Sequence, residues 1–223
     1  MMESRFVMLE RMDIFFENRL DGYDEHMLRD IEGAQEFYPF TAKLLPMQEG
    51  AAVLDLGCGT GLELGFFFEK NPLAKVTGVD LSQGMLDALK AKFADKDLQL
   101  ICGSYFKEEL GDEVFDAAVS VESLHHFTKE EKKLLYTRLC KALKPGGYFI
   151  LTDYFAPDED VEAFFQRELL RLKKEQGISD KEFYHYDTPL TFAHEMDALR
   201  EAGFREVTDL KRWGATHCIR AVK

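Results

Sequence analysis

Short apolar runs alternate with amphipathic stretches from Ala51 onward, and this alternation predicts a succession of strands and helices. Strands are expected at 51–56, 74–81, 98–103, 115–121 and 148–154, with helices at 62–70, 82–94 and 129–143. Strands that alternate with helices are typical of a parallel sheet covered on both faces. The pattern therefore predicts an α/β fold with a doubly wound, mostly parallel sheet.

The two ends of the chain follow a different pattern. Residues 1–48 predict helices, interrupted at Pro39 and Pro46. After residue 154 the pattern predicts an amphipathic helix at 158–176, an aromatic-rich loop at 182–190, a helix at 191–202 and two strands at 204–213 and 216–223. In the first of these helices Phe164 and Phe165 are expected to face the core.

These patterns predict how the chain is organised. We expect an N-terminal helical cap over residues 1–48 and one main domain over 49–223, with a helical insertion at about 157–190 that acts as a lid. The two final strands are expected to form a hairpin at the sheet edge. The sheet would then have seven strands, with the last one antiparallel.

Composition narrows the function. The 223 residues carry a formal net charge of −13, and duplex nucleic acid is bound largely through neutralised phosphates. We therefore expect a small-molecule or protein substrate and no nucleic acid. No apolar run approaches the ~18 residues that span a bilayer, and the N-terminal segment lacks a signal peptide's apolar core. The four cysteines form neither a disulfide framework nor a zinc pattern, so we expect a cytoplasmic protein. We also expect a monomer or homodimer with no membrane partner.

The segment DLGCGTG at 55–61 follows the first predicted strand. Its glycines permit positive φ and close approach of a ligand, and the next helix presents free N–H groups. The dinucleotide fingerprint G-x-G-x-x-G needs a third glycine where Leu62 stands. Asp55 would also repel a pyrophosphate but would attract an ammonium group. The loop therefore favours an amino-acid ligand.

Asp80 ends the second predicted strand. An acid at this place can accept hydrogen bonds from the hydroxyls of a ribose. An amino acid joined to a ribose describes S-adenosylmethionine.

Five segments in order now resemble class I S-adenosylmethionine-dependent methyltransferases, which have a Rossmann-like fold. They are VLDLGCGTG, GVDLSQGML, CGSYF, FDAAVSVESLHHF and LKPGGYFILTDY, which together cover about residues 50–155. The resemblance implies S-adenosylmethionine as cofactor and S-adenosylhomocysteine as product. It implies that cofactor-binding residues are Tyr23, Asp55, Gly57, Cys58, Gly59, Gly61, Asp80, Leu81, Met85, Gly103, Ser104, Tyr105, Val121 and Glu122. Within this set, Asp80 would take the ribose and Tyr23 would be a lid over the cofactor.

Two histidines follow the fourth predicted strand. Imidazole titrates near neutral pH, so His126 is a candidate general base or acceptor-site donor, while both His125 and His126 could equally line the pocket or cap a helix. Adjacent histidines point in different directions and are poor metal ligands without partners, so we expect no metal. Tyr154, Tyr184, His185 and Tyr186 could form an acceptor pocket or pack a lid.

The prediction is methyl transfer to a small-molecule acceptor. Two alternatives stay open. A carboxy-S-adenosylmethionine synthase would need a cationic side chain near the methyl group. A non-catalytic S-adenosylmethionine-binding regulatory protein would bind the cofactor without an enclosed acceptor pocket.

Overall fold

The computed structural model describes residues 8–179 and 182–223, which form a seven-stranded sheet with helices on both faces. The strand order is β3-β2-β1-β4-β5-β7-β6, and β7 runs antiparallel to both of its neighbours. The predicted fold class, with the edge hairpin and the antiparallel last strand, is confirmed.

The element bounds follow the predicted order. The strands are β1 (Ala52–Leu56), β2 (Lys75–Asp80), β3 (Asp97–Cys102), β4 (Phe115–Val121), β5 (Leu143–Tyr154), β6 (Glu206–Trp213) and β7 (Thr216–Val222). The helices are α1 (Met12–Glu17), α2 (Tyr23–Asp30), α3 (Ala34–Lys43), α4 (Leu62–Phe68), α5 (Gln83–Lys92), α6 (Lys129–Ala142), α7 (Glu159–Gln176) and α8 (Phe192–Glu201). A short 3₁₀ turn lies at Leu124–His126. None of the helices within the described ranges is long and apolar enough to cross a membrane.

Side-chain caps set several helix starts. The hydroxyl of Ser82 accepts the backbone N–H of Met85, as predicted for the start of α5. Thr128 and Glu131 form a capping box at α6. Such caps satisfy N–H groups that have no partner inside the helix.

Three local predictions are wrong. Pro39 lies inside α3 instead of interrupting it, because its neighbours Phe37 and Tyr38 bury their rings in the core and hold the helix together. Strand β5 begins at Leu143 and not at 148, since the chain pairs with β4 on both sides of a bulge. Phe164 is 51% exposed, because the face of α7 that is buried carries Glu162 and Leu172 instead.

Two apolar cores lie on opposite faces of the sheet. Leu54 faces the core formed with α6 and α8, and the adjacent Val53 faces the core formed with α3, α4 and α5. Alternation along β1 thus supplies both layers, as expected for a strand buried on two faces. On the first face the Lys132 ammonium lies 2.6 Å from Glu195, and both side chains are buried.

The topology places one site at the carboxyl ends of β1 and β4. The strand order reverses direction there, and ligands of open α/β sheets bind in the crevice that this reversal leaves. Helices α1 and α2 and the segment before α8 lie over this edge, since Phe16, Tyr23 and His185 line cavities together with Glu122. The backbone N–H of Met12 donates to Phe183 and that of His185 donates to Glu10, which joins the N-terminal segment to the segment before α8. The proposed cap (1–48) and insertion (about 157–190) remain predictions, and residues 1–7 and 180–181 of them lie outside the described ranges.

Candidate active site

The glycine loop after β1 is held by a backbone hydrogen bond to β2. The N–H of Gly57 donates to the carbonyl of Val79, and Gly57, Gly59 and Gly61 all have positive φ. A Cβ at Gly57 would lie 2.0 Å from the hydroxyl of Ser123. At Gly59, by contrast, no atom of the described residues lies within 4 Å of that position. Gly57 therefore permits close packing against the end of β4, and Gly59 leaves room for a ligand.

Asp80 links the end of β2 to this loop. Its carboxylate accepts the N–H of Gly59 at 2.9 Å and the N–H of Ser82 at 2.9 Å. Burial raises the pKa of Asp80 above its usual range even though these hydrogen bonds oppose the shift. The side chain is thereby fixed in direction and points along the wall of a cavity.

Asp55 lies fully buried behind the same loop. Apart from the carboxyl of Glu63, no N–H or O–H donor among the described residues reaches either of its carboxylate oxygens. Burial, together with the nearby carboxyl of Glu63, raises the pKa of Asp55 well above its usual range. Burial also raises the pKa of Glu63. Since two buried carboxylates repel each other, the pair favours holding a proton.

An inner cavity of about 500 Å³, part of it open to solvent, lies beside the loop. Nine of the predicted cofactor residues line it: Tyr23, Gly57, Gly59, Asp80, Leu81, Met85, Tyr105, Val121 and Glu122. The other five, Asp55, Cys58, Gly61, Gly103 and Ser104, lie outside this set of described lining residues. Met12, Phe16, Ser123 and His126 complete the wall. The lining matches a small-molecule site, which is mostly apolar with a few placed polar groups.

The predicted residues outside the lining lie behind it. Cys58 is buried and packs against Gly78 of β2. Gly61 precedes α4 and faces Leu89. Gly103 faces Glu108, and Ser104 borders a separate surface pocket. These residues shape the loops, while their neighbours form the cavity surface.

Glu122 lies between two cavities at the end of β4. Its φ of +49° falls in the left-handed region, where a side chain costs about 1–3 kcal/mol and which often marks functional sites. The side chain accepts a hydrogen bond from Thr216 at 3.2 Å. Burial and the charge of Asp153 raise the pKa of Glu122 to about 8. The strained backbone thus aims a carboxyl group at the site.

An outer cavity of about 1330 Å³, widely open to solvent, adjoins the inner one. The two share Phe16, Tyr23, Glu122 and His126. The rest of the outer wall comprises Phe15, Asn18, Arg19, Asp21, Gly22, His26, Met27, Ile31, His125, Tyr154, His185 and Asp187. Helices α1 and α2 therefore form one wall, and the segment before α8 forms another.

His125 is held by a buried carboxylate. Its Nδ1 lies 2.6 Å from Asp153, whose two oxygens also accept the backbone N–H groups of Leu124 and Tyr154. Burial alone would lower the pKa of His125, but the charge of Asp153 and its hydrogen bond raise it overall. The ring is thus oriented with Nε2 toward the outer cavity side, 3.7 Å from Asp187.

His126, the predicted catalytic residue, reaches both cavities. Its Nδ1 lies 3.1 Å from Asp187, and its ring centroid lies 4.9 Å from that of His185. Burial and the neighbouring charge of His125 lower the pKa of His126. Of the other acceptor-pocket candidates, Tyr154 and His185 line the outer cavity. Tyr184 instead forms an isolated antiparallel β-bridge with Arg11, and the ring of Tyr186 lies near that of Phe165.

Sequence reasoning missed Asp153 and Asp187. Asp153 had a readable signal, because it lies at the carboxyl end of β5, as Asp55 and Asp80 lie at the carboxyl ends of β1 and β2. Asp187 had none, since it lies in a loop far along the chain from the histidines that it faces. Met12 and Phe16 were missed for the same reason.

The chain resembles methyltransferases in sequence and in fold. Residues 53–147 match the Methyltransferase domain family. Phosphoethanolamine N-methyltransferase 3 of Arabidopsis thaliana is 30% identical over 183 residues, which is 79% of this chain but 32% of that relative. The chain thus spans about a third of the length of the curated relatives that it matches.

Solved structures support the fold. DesVI of Streptomyces venezuelae has a TM-score of 0.66 at 20% identity, covering 92% of this chain and 98% of that one. Human N-acetylserotonin methyltransferase, solved in complex with S-adenosylmethionine, has a TM-score of 0.60 at 19% identity, covering 93% of this chain and 62% of that one. At these identities the likeness concerns the fold alone.

Proposed function

Since this chain belongs to the class I S-adenosylmethionine-dependent methyltransferases, we propose that it transfers a methyl group from S-adenosylmethionine to a small-molecule acceptor. The adjacency of the two cavities supports the proposal. They meet at Phe16, Tyr23, Glu122 and His126. A cofactor in the inner cavity would therefore present its reactive end to a molecule in the outer one.

The inner cavity fits the proposed cofactor. Asp80 would accept the ribose hydroxyls, and the open space at Gly59 would admit the amino-acid end. Leu81, Met85 and Tyr105 offer apolar surface to the adenine. The paired carboxyls of Asp55 and Glu63 would offer a carboxylate to the ammonium end from behind the loop.

The cofactor, when bound, supplies an electrophilic methyl group. The chain's own task is to align the acceptor and to exclude water. The rings of Phe16 and Tyr23 lie 6.3 Å apart and form a cover shared by both cavities. His126 lies where it could accept a proton from an acceptor, if the acceptor must lose one.

The acidic surface supports a small acceptor. A net charge of −13 opposes binding of nucleic acid, although one relative is named as a tRNA methyltransferase. A carboxy-S-adenosylmethionine synthase would need a cationic side chain near the methyl group. Arg19 lines the outer cavity, but its guanidinium already contacts Glu10 and the Phe15 carbonyl, which disfavours that enzyme. A non-catalytic binding protein would have no need of the outer cavity.

Calorimetric titration with S-adenosylmethionine and S-adenosylhomocysteine tests the proposal. We expect micromolar binding of at least one, and a loss of tenfold or more in Asp80→Ala. Asp87→Ala, on the exposed face of α5, is the matched control and should bind as the parent does. Amine, hydroxyl and thiol acceptors would then be screened for release of S-adenosylhomocysteine. A folded parent protein that binds neither ligand would overturn the proposal.

A further inference from the structure

Three electron-pair donors converge at the outer cavity. Nε2 of His125 lies 3.7 Å from Oδ1 of Asp187, and Nδ1 of His126 lies 3.1 Å from the same oxygen. One ligand atom from each residue lies within 4.8 Å of the others. Ligands about 2.1 Å from one ion lie about 3.0 Å apart at right angles and about 3.4 Å apart at tetrahedral angles. The separation of 3.1 Å lies between these two values, and that of 3.7 Å is about 0.3 Å longer than the tetrahedral one.

The contact between His126 and Asp187 is unsatisfied. Within the described residues, neither Nδ1 of His126 nor Oδ1 of Asp187 makes an aligned hydrogen bond, and both atoms are buried. The His126 side chain as a whole is only 3% exposed. Buried polar atoms without partners are costly, and a single cation between these two would satisfy both.

His125 is already oriented as a ligand. Its Nδ1 is hydrogen-bonded to the carboxylate of Asp153 at 2.6 Å, and Asp153 also accepts hydrogen bonds from two backbone N–H groups. When Nδ1 donates its proton, Nε2 carries the free electron pair on the side of Asp187. A carboxylate that holds a histidine in this way is the usual support of a metal-bound imidazole.

We propose that His125, His126 and Asp187 bind a divalent transition-metal ion, with Asp153 as a positioning residue. Two imidazoles and one carboxylate suit zinc and its neighbours better than magnesium or calcium, which prefer oxygen ligands. The site borders the outer cavity, so the remaining coordination positions are open to a small molecule. If the proposed function is correct, an oxygen or nitrogen of the acceptor could occupy one of them.

The test uses the full chain, treated with a chelator and then titrated with Zn²⁺ by calorimetry. Visible absorption of Co²⁺ reports the ligand geometry. We expect one ion per chain, with affinity at least tenfold weaker in His126→Ala and in Asp187→Asn. Asp153→Asn should weaken binding by about 10–100-fold. His26→Ala is the matched control, because His26 lines the same cavity and pairs with Asp30 on the exposed surface.

Several outcomes would overturn the proposal. These are no Zn²⁺ binding by the parent, affinity unchanged in Asp187→Asn, or an equal loss in His26→Ala, which would indicate scattered surface sites. Asp187 is 41% exposed in its side chain, so its substitution should leave the fold intact, and circular dichroism checks this. The titration needs neither cofactor nor acceptor. Its result is therefore separable from that of the proposed function.

Discussion

The carboxylate of Asp80 accepts the backbone N–H of Gly59 at 2.9 Å, and this contact joins the end of β2 to the loop that follows β1. The loop is therefore held in position before any ligand is present. A ligand that uses Asp80 meets a carboxylate whose direction is already set, which lowers the ordering cost of binding.

The first prediction concerns the pH dependence of cofactor binding. Because burial raises the pKa of Asp80, this carboxyl gains its proton at a higher pH than an ordinary aspartate. Protonation removes the negative charge that strengthens hydrogen bonds from the ribose hydroxyls, so affinity for S-adenosylhomocysteine should fall as the pH is lowered through that raised pKa. Calorimetry at a series of pH values measures the fall.

Asp80→Asn provides the control for that pH series. The variant should bind weakly at every pH and lose the part of the dependence that belongs to Asp80. An identical slope in parent and variant would assign the titration to another group.

The second prediction compares two glycines of the loop. Both have positive φ, but a Cβ at Gly57 would meet Ser123 whereas a Cβ at Gly59 would meet open space. Gly57→Ala should therefore lower the free energy of unfolding by about 1–3 kcal/mol more than Gly59→Ala. Gly59→Ala should instead act mainly on cofactor affinity. Urea unfolding and calorimetry measure the two effects, and equal stability losses would contradict the prediction.

The third prediction concerns the buried pair of Asp55 and Glu63. The folded-state pKa of each is raised, so the folded protein binds protons more tightly than the unfolded chain. The stabilising contribution is present below the unfolded pKa, near 4, and is lost as the pH rises through the raised folded pKa. Asp55→Asn should thus be more stable than the parent at neutral pH by about 1–3 kcal/mol.

Urea unfolding at several pH values checks this pair. The stability gap between Asp55→Asn and the parent should widen as the pH rises and close in acid. The same variant should bind the cofactor less well, because the ammonium group would meet an amide in place of an ionisable carboxyl. A gap that does not vary with pH would show that the pair does not titrate in the folded state.

The fourth prediction concerns the buried ion pair between α6 and α8. Lys132 lies 2.6 Å from Glu195, which also accepts a hydrogen bond from Tyr136. Lys132→Ala leaves a buried carboxylate without its cation and should lower the free energy of unfolding by about 3–5 kcal/mol. Lys133→Ala, which removes an exposed partner of Glu201 at the same 2.6 Å distance, is the matched control. It should leave stability nearly unchanged, since water screens an exposed pair.

Local sequence patterns predicted the elements and the half of the candidate site that lies next to β1 and β2. Strand alternation, helix periodicity and the Ser82 cap depend on neighbours a few residues apart, so they can be read along the chain. The glycine loop and Asp80 were readable for the same reason, because their positions at strand ends imply a shared edge.

The other half of the candidate site depends on tertiary packing. Asp187 faces His126, and Met12 and Phe16 reach the inner cavity, because distant segments pack over the sheet edge. Pro39 stays within α3 because burial of the surrounding rings outweighs the local preference of proline. Such contacts depend on how helices and loops pack across long stretches of chain, and no local spacing encodes that packing.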